Sequence, residues 1–420
     1  MAELRPSTPR SELESPIIYF KELEPTYTLP VAVTPTPPDG SVRHELIGWE
    51  KWYVRFVELA YLTQCLPVRY HSSEGVLRVT KDRFVKLLWF LRIIGLTLDN
   101  IYLIIISSKV TLESVGEKEF VDFWIHTISR VLGCIITWSF ILDVQATCQM
   151  FNTMLATRRT WHQKFGQWGD DFYGPLEVLL RRTIQFCAIF FSIQGIFPLL
   201  MHLESRQSVR YWGSQVLPSW VYNSIPGIIL AAANDFFLSH TTVNNAGYGI
   251  TLIASFFVLM RFWTTNVMEK VKFFTLTSNT PLLQYRSLLV LNRIYNCCMG
   301  QSVVPAVVFS GFFMTAIVLS VLIQRNRQLP VVTSVDLILG ICIMIVGIYF
   351  VLEGAGKMLM RSQDLKRIFK LEREIYRKKF VVSCRDMRMY VGQFYYVQAG
   401  TFINCMKWIL DQAITIVFAI

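Results

Sequence analysis

Seven long apolar segments constrain the fold of this chain more than any other feature. Each is close to the roughly 20 residues that a helix needs to cross the hydrocarbon core of a bilayer. They lie at roughly 86–108, 123–144, 183–203, 246–263, 303–324, 331–352 and 398–420. With 53% hydrophobic residues in a length of 420, the chain is too apolar for an ordinary soluble globule. We therefore predict an all-α membrane protein with seven transmembrane helices.

An eighth segment, Pro218–Leu238, is apolar but carries Pro226, Asn234 and Asp235. The charge of the loops decides between seven and eight spans, because Lys and Arg collect in short loops on the cytoplasmic side. With seven spans, the cytoplasmic segments 1–85, 145–182, 264–302 and 353–397 hold 10, 5, 4 and 11 Lys and Arg. An eighth span would place the last and most basic of these loops outside. We predict a cytoplasmic N-terminus and an extracellular C-terminus. Pro218–Leu238 is then an outer-loop helix, a re-entrant piece, or the outer half of a long, broken fourth helix.

Three regions follow from this topology. Residues 1–44 are rich in proline and predict a disordered cytoplasmic tail. Residues 45–85 form an amphipathic pre-helix and a linker, and the helix could lie under the bilayer or pack on the bundle. Residues 86–420 form the membrane domain, with extra cytoplasmic helices from 264–302 and 353–397 as an anchor. The amphipathic stretch Leu359–Val382 could lie at an anionic inner leaflet or pack into that anchor.

Several classes of protein do not fit the sequence. The net charge of +11 is spread over loops between apolar runs, without the single basic face that nucleic-acid binding needs. The six histidines contain no pair spaced four residues apart, so we expect no metal site, no cofactor and no enzyme. The topology is the reverse of a G-protein-coupled receptor, so no G protein is expected. The predicted location is the plasma membrane, crossed several times.

The last apolar segment carries a partial motif. Thr401-Phe402 stand where gustatory receptors have Thr-Tyr, which five apolar residues and Gln-Phe then follow. Here the later pair falls on Trp408-Ile409, and Gln412 comes four residues late. Together with the seven spans, the topology and the long cytoplasmic loop before the last span, this resembles the insect gustatory and odorant receptor superfamily over residues 45–420. The chain looks like a divergent, gustatory-receptor-like member.

That resemblance implies a chemosensory receptor that is a ligand-gated, non-selective cation channel for a small molecule. It also implies a homo- or hetero-tetramer, with the last helices around a central pore, a shared cytoplasmic anchor, and a ligand pocket in the outer half of each subunit. The alternative is a non-channel seven-span membrane protein, a transporter or receptor-like protein that retains the fold.

The last segment contains two charges inside the membrane. Lys407 and Asp411 are four residues apart and so share one face of a helix. They could pair with each other or face a water-filled pore. In a pore, copies of Asp411 would attract cations, with Gln412 on an adjacent face and Ile416 as a hydrophobic constriction. The predicted pore residues are Thr401, Phe402, Lys407, Asp411, Gln412 and Ile416.

Aromatic and polar residues at the outer ends of spans 2, 3, 4 and 6 could bind a small molecule, or form the aromatic belt of a membrane interface. They are Trp124, His126, Phe197, His202, Trp212, Trp220, Tyr222 and Asp336. Asp336 could anchor an amine or a hydroxyl, or cap the start of its helix. Four other charges inside predicted spans are interpreted as structural, snorkelling or pairing with another helix. These are Arg92, Asp99, Arg130 and Asp143.

Overall fold

A computed structural model describes residues 46, 48–165, 170–193, 196–204, 206–273, 280–325, 331–370, 375–393 and 395–419. The predicted disordered tail, 1–44, lies outside the described residues. The first half of the chain forms α1 (Gly48–Leu62), β1 (Val68–His71), β2 (Val76–Val79), α2 (Arg83–Ser107), α3 (Leu112–Val115), α4 (Glu117–Phe165), α5 (Asp170–Ile193) and α6 (Ile196–Glu204).

The second half is also mainly helical. It forms α7 (Trp212–Val216), α8 (Ser219–Tyr222), α9 (Ile225–Phe273), α10 (Thr280–Cys298), α11 (Val303–Arg325), α12 (Val331–Lys370), α13 (Ile375–Ser383), β3 (Tyr390–Val391), β4 (Tyr395–Tyr396) and α14 (Thr401–Ala419).

Within the described ranges, five helices are long and apolar enough to cross a membrane. They coincide with the predicted spans 1, 2, 4, 5 and 6, and they make the chain a multi-pass membrane protein. The third predicted span, 183–203, falls on α5 and α6, which flank residues 194–195 outside the described part. The seventh corresponds to α14, which has 19 residues. The count of seven and the sidedness of the termini stay predictions.

The segment Pro218–Leu238 belongs largely to a long fourth helix. α9 has 49 residues, about 73 Å at 1.5 Å per residue, against roughly 30 Å of hydrocarbon. Of the three predicted alternatives, the long helix is confirmed and its break is wrong, because the helix is continuous; its outer position stays a prediction. Several of its polar residues bond within the helix: the Asn245 side-chain amide, for example, donates to the Thr241 carbonyl at 2.8 Å. Pro226 causes no break because it lies in the first turn, where its missing N–H is not needed.

The long helix α4 bends at Asp143, where φ is −120° and ψ is 19°. The Asp143 carboxylate accepts a hydrogen bond from the Ser302 hydroxyl, just before α11 begins. The bend lies at the predicted cytoplasmic boundary of the second span. It separates the predicted second span of α4 from an extension that reaches Phe165 and is predicted to be cytoplasmic.

The largest apolar core lies in the half of the bundle predicted to be cytoplasmic. Tyr53 of α1 stacks on Phe151 of α4 with ring centroids 4.7 Å apart, and Trp49 meets Phe151 edge-on at 6.1 Å. Phe256 of α9 stacks on Tyr295 of α10 at 4.0 Å. The predicted amphipathic pre-helix therefore packs on the bundle, which was one of its two predicted positions.

Two short antiparallel hairpins correct the all-α prediction. β1 pairs with β2, and β3 pairs with β4. The first hairpin is fastened by Asn152 of α4, whose side chain accepts from the Leu77 N–H at 2.7 Å and donates to the Leu77 carbonyl at 2.9 Å. In the second, the Gly392 N–H donates to the Gly300 carbonyl at 2.7 Å. Strands of two to four residues are too short to show a periodic pattern in the sequence.

A close backbone approach joins α12 to the segment before α14. A Cβ on Gly356 would lie 2.9 Å from the Gln398 carbonyl oxygen and 3.3 Å from Ala399 Cα. We expect Gly356→Ala to destabilise the protein by about 1–3 kcal/mol, because a backbone must move to admit the methyl group. Denaturant unfolding in detergent measures this. Gly340→Ala on the same helix is the control, since nothing lies within 4 Å of its added Cβ; equal stability of the two variants would contradict the prediction.

Candidate functional site

Three buried charges join three of the apolar helices in the half predicted to be outer. The Arg130 guanidinium of α4 forms an ion pair with Asp235 of α9. Its Nε also lies 3.9 Å from Oδ2 of Asp99 on α2. Arg130 is only 5% exposed and Asp235 6%. Isolated charges in such surroundings are costly, so the pairing holds α2, α4 and α9 in one arrangement.

A second buried ion pair holds the loop between α6 and α7. Arg210 in this loop forms an ion pair with Asp122 of α4. The Arg210 guanidinium also lies over the Tyr211 ring, 4.6 Å from its centroid. The next loop residue toward the N-terminus, Val209, donates its N–H to Glu119 at 3.0 Å and accepts from the Tyr102 hydroxyl at 2.6 Å. The loop is therefore fixed onto the ends of α2 and α4.

Aromatic rings fill the space beside these charges. The Tyr211 ring lies 4.2 Å from the His202 ring and 6.2 Å from the His126 ring, measured between centroids. His202 also faces Tyr222 at 6.4 Å. Burial raises the pKa of the Tyr211 phenol, so this side chain stays neutral. We name the whole set the buried polar cluster; it consists of Asp99, Asp122, His126, Arg130, His202, Arg210, Tyr211, Tyr222 and Asp235.

Several polar atoms of the cluster have no hydrogen-bond partner in the described part of the chain. Both ring nitrogens of His202 lack a partner there, although the residue is only 1% exposed. The same part of the chain offers no partner to Oδ2 of Asp99, Oδ2 of Asp235 and one terminal nitrogen of Arg130. Buried polar groups in native proteins are normally satisfied. The arrangement can therefore accept hydrogen bonds from, and donate them to, one more small polar group.

Three residues predicted to bind a ligand meet in the cluster. They are His126 of α4, His202 of α6 and Tyr222 of α8, and the hydroxyl of Tyr222 donates to the Arg206 carbonyl at 2.6 Å. Trp124 of α4 packs nearby against Phe123, with ring centroids 5.8 Å apart. Their proximity is a finding of the structure, and their role in ligand binding stays a prediction.

The other predicted ligand residues are placed differently. Phe197 is half-buried on α6. Trp212 is 39% exposed and Trp220 79% exposed, which puts the Trp220 side chain outside the cluster. The Asp336 side chain lies outside the described part of the structure.

Sequence reasoning did not assign the charged part of this site to ligand binding. Asp99 and Arg130 were predicted to snorkel or to pair with another helix; in the structure they pair with each other between α2 and α4, and Arg130 also pairs with Asp235 of α9. Asp235 itself was interpreted only as one of the polar residues that make Pro218–Leu238 less convincing as a transmembrane span. Opposite charges in separate apolar segments are the signal that could have revealed the pairing, because intramembrane charges normally find one another.

One face of α14 packs against α11. Ile409 and Ala413 are buried there. The Ser320 hydroxyl of α11 donates to the Ala413 carbonyl at 3.1 Å, and the Gln324 amide donates to the Val417 carbonyl at 2.6 Å. These bonds fix the rotation of α14 about its own axis.

The opposite side of α14 presents an exposed polar stripe. Its residues, Asn404, Lys407, Asp411 and Thr415, are spaced three or four apart and so form one row on a helix. Although Lys407 and Asp411 were predicted as a possible pair, no salt bridge involves either of them among the described residues. The stripe therefore presents both charges to whatever surrounds the subunit.

The remaining predicted pore residues lie beside or before the stripe. Thr401 begins the helix, and its hydroxyl accepts from the Gln398 N–H at 2.9 Å. Phe402 packs edge-on against Tyr349 of α12 at 5.2 Å. Gln412 and Ile416 are half-buried. Phe402 thus points toward the bundle, whereas Lys407 and Asp411 point away from it.

The chain is thus a multi-pass helical membrane protein with a kinked helix α4, a 49-residue helix α9, a large apolar core and a buried polar cluster. No protein-family model and no curated protein sequence matches the chain. Among solved structures, the chain is similar to the insect olfactory receptor OR5 from Machilis hrabei in complex with eugenol. The TM-score is 0.62 at 11% identity, over 89% of this chain and 99% of the receptor.

A second structure of the same Machilis hrabei receptor gives a TM-score of 0.60 at 11% identity, over 87% of this chain and 97% of the receptor. At this identity the likeness shows the fold alone. The fold of the chain is that of an insect olfactory receptor. The fold that the predicted resemblance implies is thereby confirmed.

Proposed function

We propose that this protein is a chemosensory receptor of the plasma membrane that works as a ligand-gated, non-selective cation channel. The observation that carries the proposal is the exposed polar stripe of α14. Lys407 and Asp411 would each cost several kcal/mol facing lipid, so the stripe must face water or another subunit. The receptor fold supports the same conclusion.

The proposed assembly is a homo- or hetero-tetramer of seven-span subunits, with cytoplasmic N-termini and extracellular C-termini. The α14 helices surround the pore, and the segments 264–302 and 353–397 form the cytoplasmic anchor. Asp411 attracts cations and Ile416 forms a hydrophobic constriction. Lys407, one turn away, moderates the selectivity, so a weakly selective pore is expected.

The proposed ligand is a small molecule, bound in the outer half at the buried polar cluster. His126, His202 and Tyr222 offer aromatic walls and polar anchors together, which is the mixture that small-molecule sites need. The ion pairs of the cluster join α2, α4 and α9. A molecule bound there can therefore change how these helices pack, which links binding to gating.

Current recordings on the reconstituted full chain test the channel. We expect Asp411→Asn to lower cation conductance at low ionic strength by roughly twofold to tenfold, because a ring of carboxylates concentrates cations at the pore. Asp364→Asn is the matched control, since Asp364 is an exposed carboxylate on α12. Unchanged conductance and cation preference in Asp411→Asn would remove the carboxylate ring from the proposal.

The alternative is a non-channel seven-span protein, a transporter or receptor-like protein with the same fold. Single-particle imaging of the purified chain separates the two. Four subunits with α14 at the centre support the channel. A monomer or dimer would favour the alternative, because α14 would then have no axis to surround.

A further inference from the structure

We propose that the buried polar cluster recognises a small organic ammonium group, with Asp235 as its main anchor. This inference rests on the proposed receptor function and adds a chemical class of ligand to it. Three features of the cluster support the proposal: an excess of buried negative charge, unpartnered hydrogen-bond acceptors and neighbouring aromatic rings.

The charge of the cluster is unbalanced. Its carboxylates are Asp99, Asp122 and Asp235, and its guanidiniums are Arg130 and Arg210. One negative charge is left over. An uncompensated charge costs several kcal/mol when it is buried, so a bound cation has a large advantage over a neutral or anionic ligand at this position.

The excess charge sits on the two carboxylates that share Arg130. Asp122 has Arg210 to itself, whereas Asp99 and Asp235 divide one guanidinium between them. The Oδ2 atoms of both Asp99 and Asp235 lack a hydrogen-bond partner in the described part of the chain. These two atoms are free to accept hydrogen bonds from an ammonium group, and such charge-assisted bonds are the stronger kind.

Neutral rings lie next to these carboxylates. They offer an acceptor nitrogen and aromatic faces, which suit an organic cation better than a metal ion. The unpartnered His202 ring lies 4.2 Å from the Tyr211 ring and 6.4 Å from the Tyr222 ring. A neutral imidazole has one acceptor nitrogen, and aromatic faces attract cations. The free N–H groups of Arg130 and Arg210 suit a hydroxyl on the same ligand. The nearby Arg206 is exposed, so solvent screens its repulsion.

Calorimetric binding to the full chain in lipid nanodiscs at pH 7 tests the proposal. The probes are 2-phenylethylamine, which is cationic at this pH, and 2-phenylethanol, its neutral counterpart. We expect the amine to bind roughly tenfold or more tightly, the scale of one charge-assisted hydrogen bond. Asp235→Asn should abolish that preference, and the control Trp220→Ala, outside the cluster, should retain it.

Asp99→Asn is a second variant, used if Asp235→Asn fails to fold, and it should lower the preference for the amine as well. Equal binding of the two probes to the unaltered protein would overturn the proposal. If acid or sodium ions stabilised the folded protein and the amine did not, the proposal would also be overturned, and the site would be assigned to a proton or an inorganic cation.

The binding measurement does not depend on ion conduction. A protein that prefers the amine but conducts no ions would therefore contradict only the channel proposal. A ligand-gated current in a protein that does not prefer the amine would contradict only the proposal of an ammonium ligand.

Discussion

Arg130→Gln is expected to destabilise the folded protein by about 3–5 kcal/mol, the cost of breaking a buried ion pair from one side. The substitution removes the only guanidinium that Asp99 and Asp235 share within the described structure. Both carboxylates then remain buried among the apolar helices α2, α4 and α9. Unfolding of the purified protein by added denaturing detergent, followed by circular dichroism, measures the loss.

A compensating variant tests the cause. Adding Asp235→Asn to Arg130→Gln removes one of the two stranded charges, and we expect it to restore part of the stability, because neutral groups in place of buried ions are often tolerated. The exposed Arg206 provides the control, since Arg206→Gln should change stability by less than about 0.5 kcal/mol. If Arg130→Gln resembled Arg206→Gln, the ion pairs would not hold these helices together.

The positions of the apolar helices could be predicted because they depend on local composition. The predicted spans 86–108 and 303–324 differ by only a few residues from α2 and α11. The face of α14 that carries Lys407 and Asp411 could also be predicted, since helical periodicity fixes which residues share a side. Phe402, only five residues before Lys407, faces Tyr349 instead.

Features that depend on distant partners could not be predicted. The pairing of Asp235 could not be predicted because its partner, Arg130, is 105 residues away in sequence. The first hairpin depends on Asn152, which bonds to Leu77 from 75 residues away. A periodic pattern reports which face of an element is apolar, but it does not identify what packs there.

The same limit applies to the candidate site. The aromatic residues His126, His202 and Tyr222 were predicted because they lie near membrane boundaries, a property of position alone. Arg210 and Tyr211 enter the site from a loop, and no local pattern announces that this loop is buried. The chemistry of the cluster, an excess carboxylate beside neutral rings, therefore emerges only when the helices are assembled.

Trp263→Ala is expected to destabilise the protein by about 3–5 kcal/mol, the usual cost of emptying a buried tryptophan site. Trp263 of α9 is 1% exposed, and its ring lies 5.8 Å from that of Trp161 on α4. It belongs to the largest apolar core, where a cavity cannot collapse easily because several helices meet. Trp220→Ala is the matched control, because the Trp220 side chain is 79% exposed. Its removal should lower the free energy of unfolding by less than about 0.5 kcal/mol. Denaturant unfolding of both variants in one detergent measures the contrast. Equal losses would contradict the inference that the buried Trp263 ring stabilises the core.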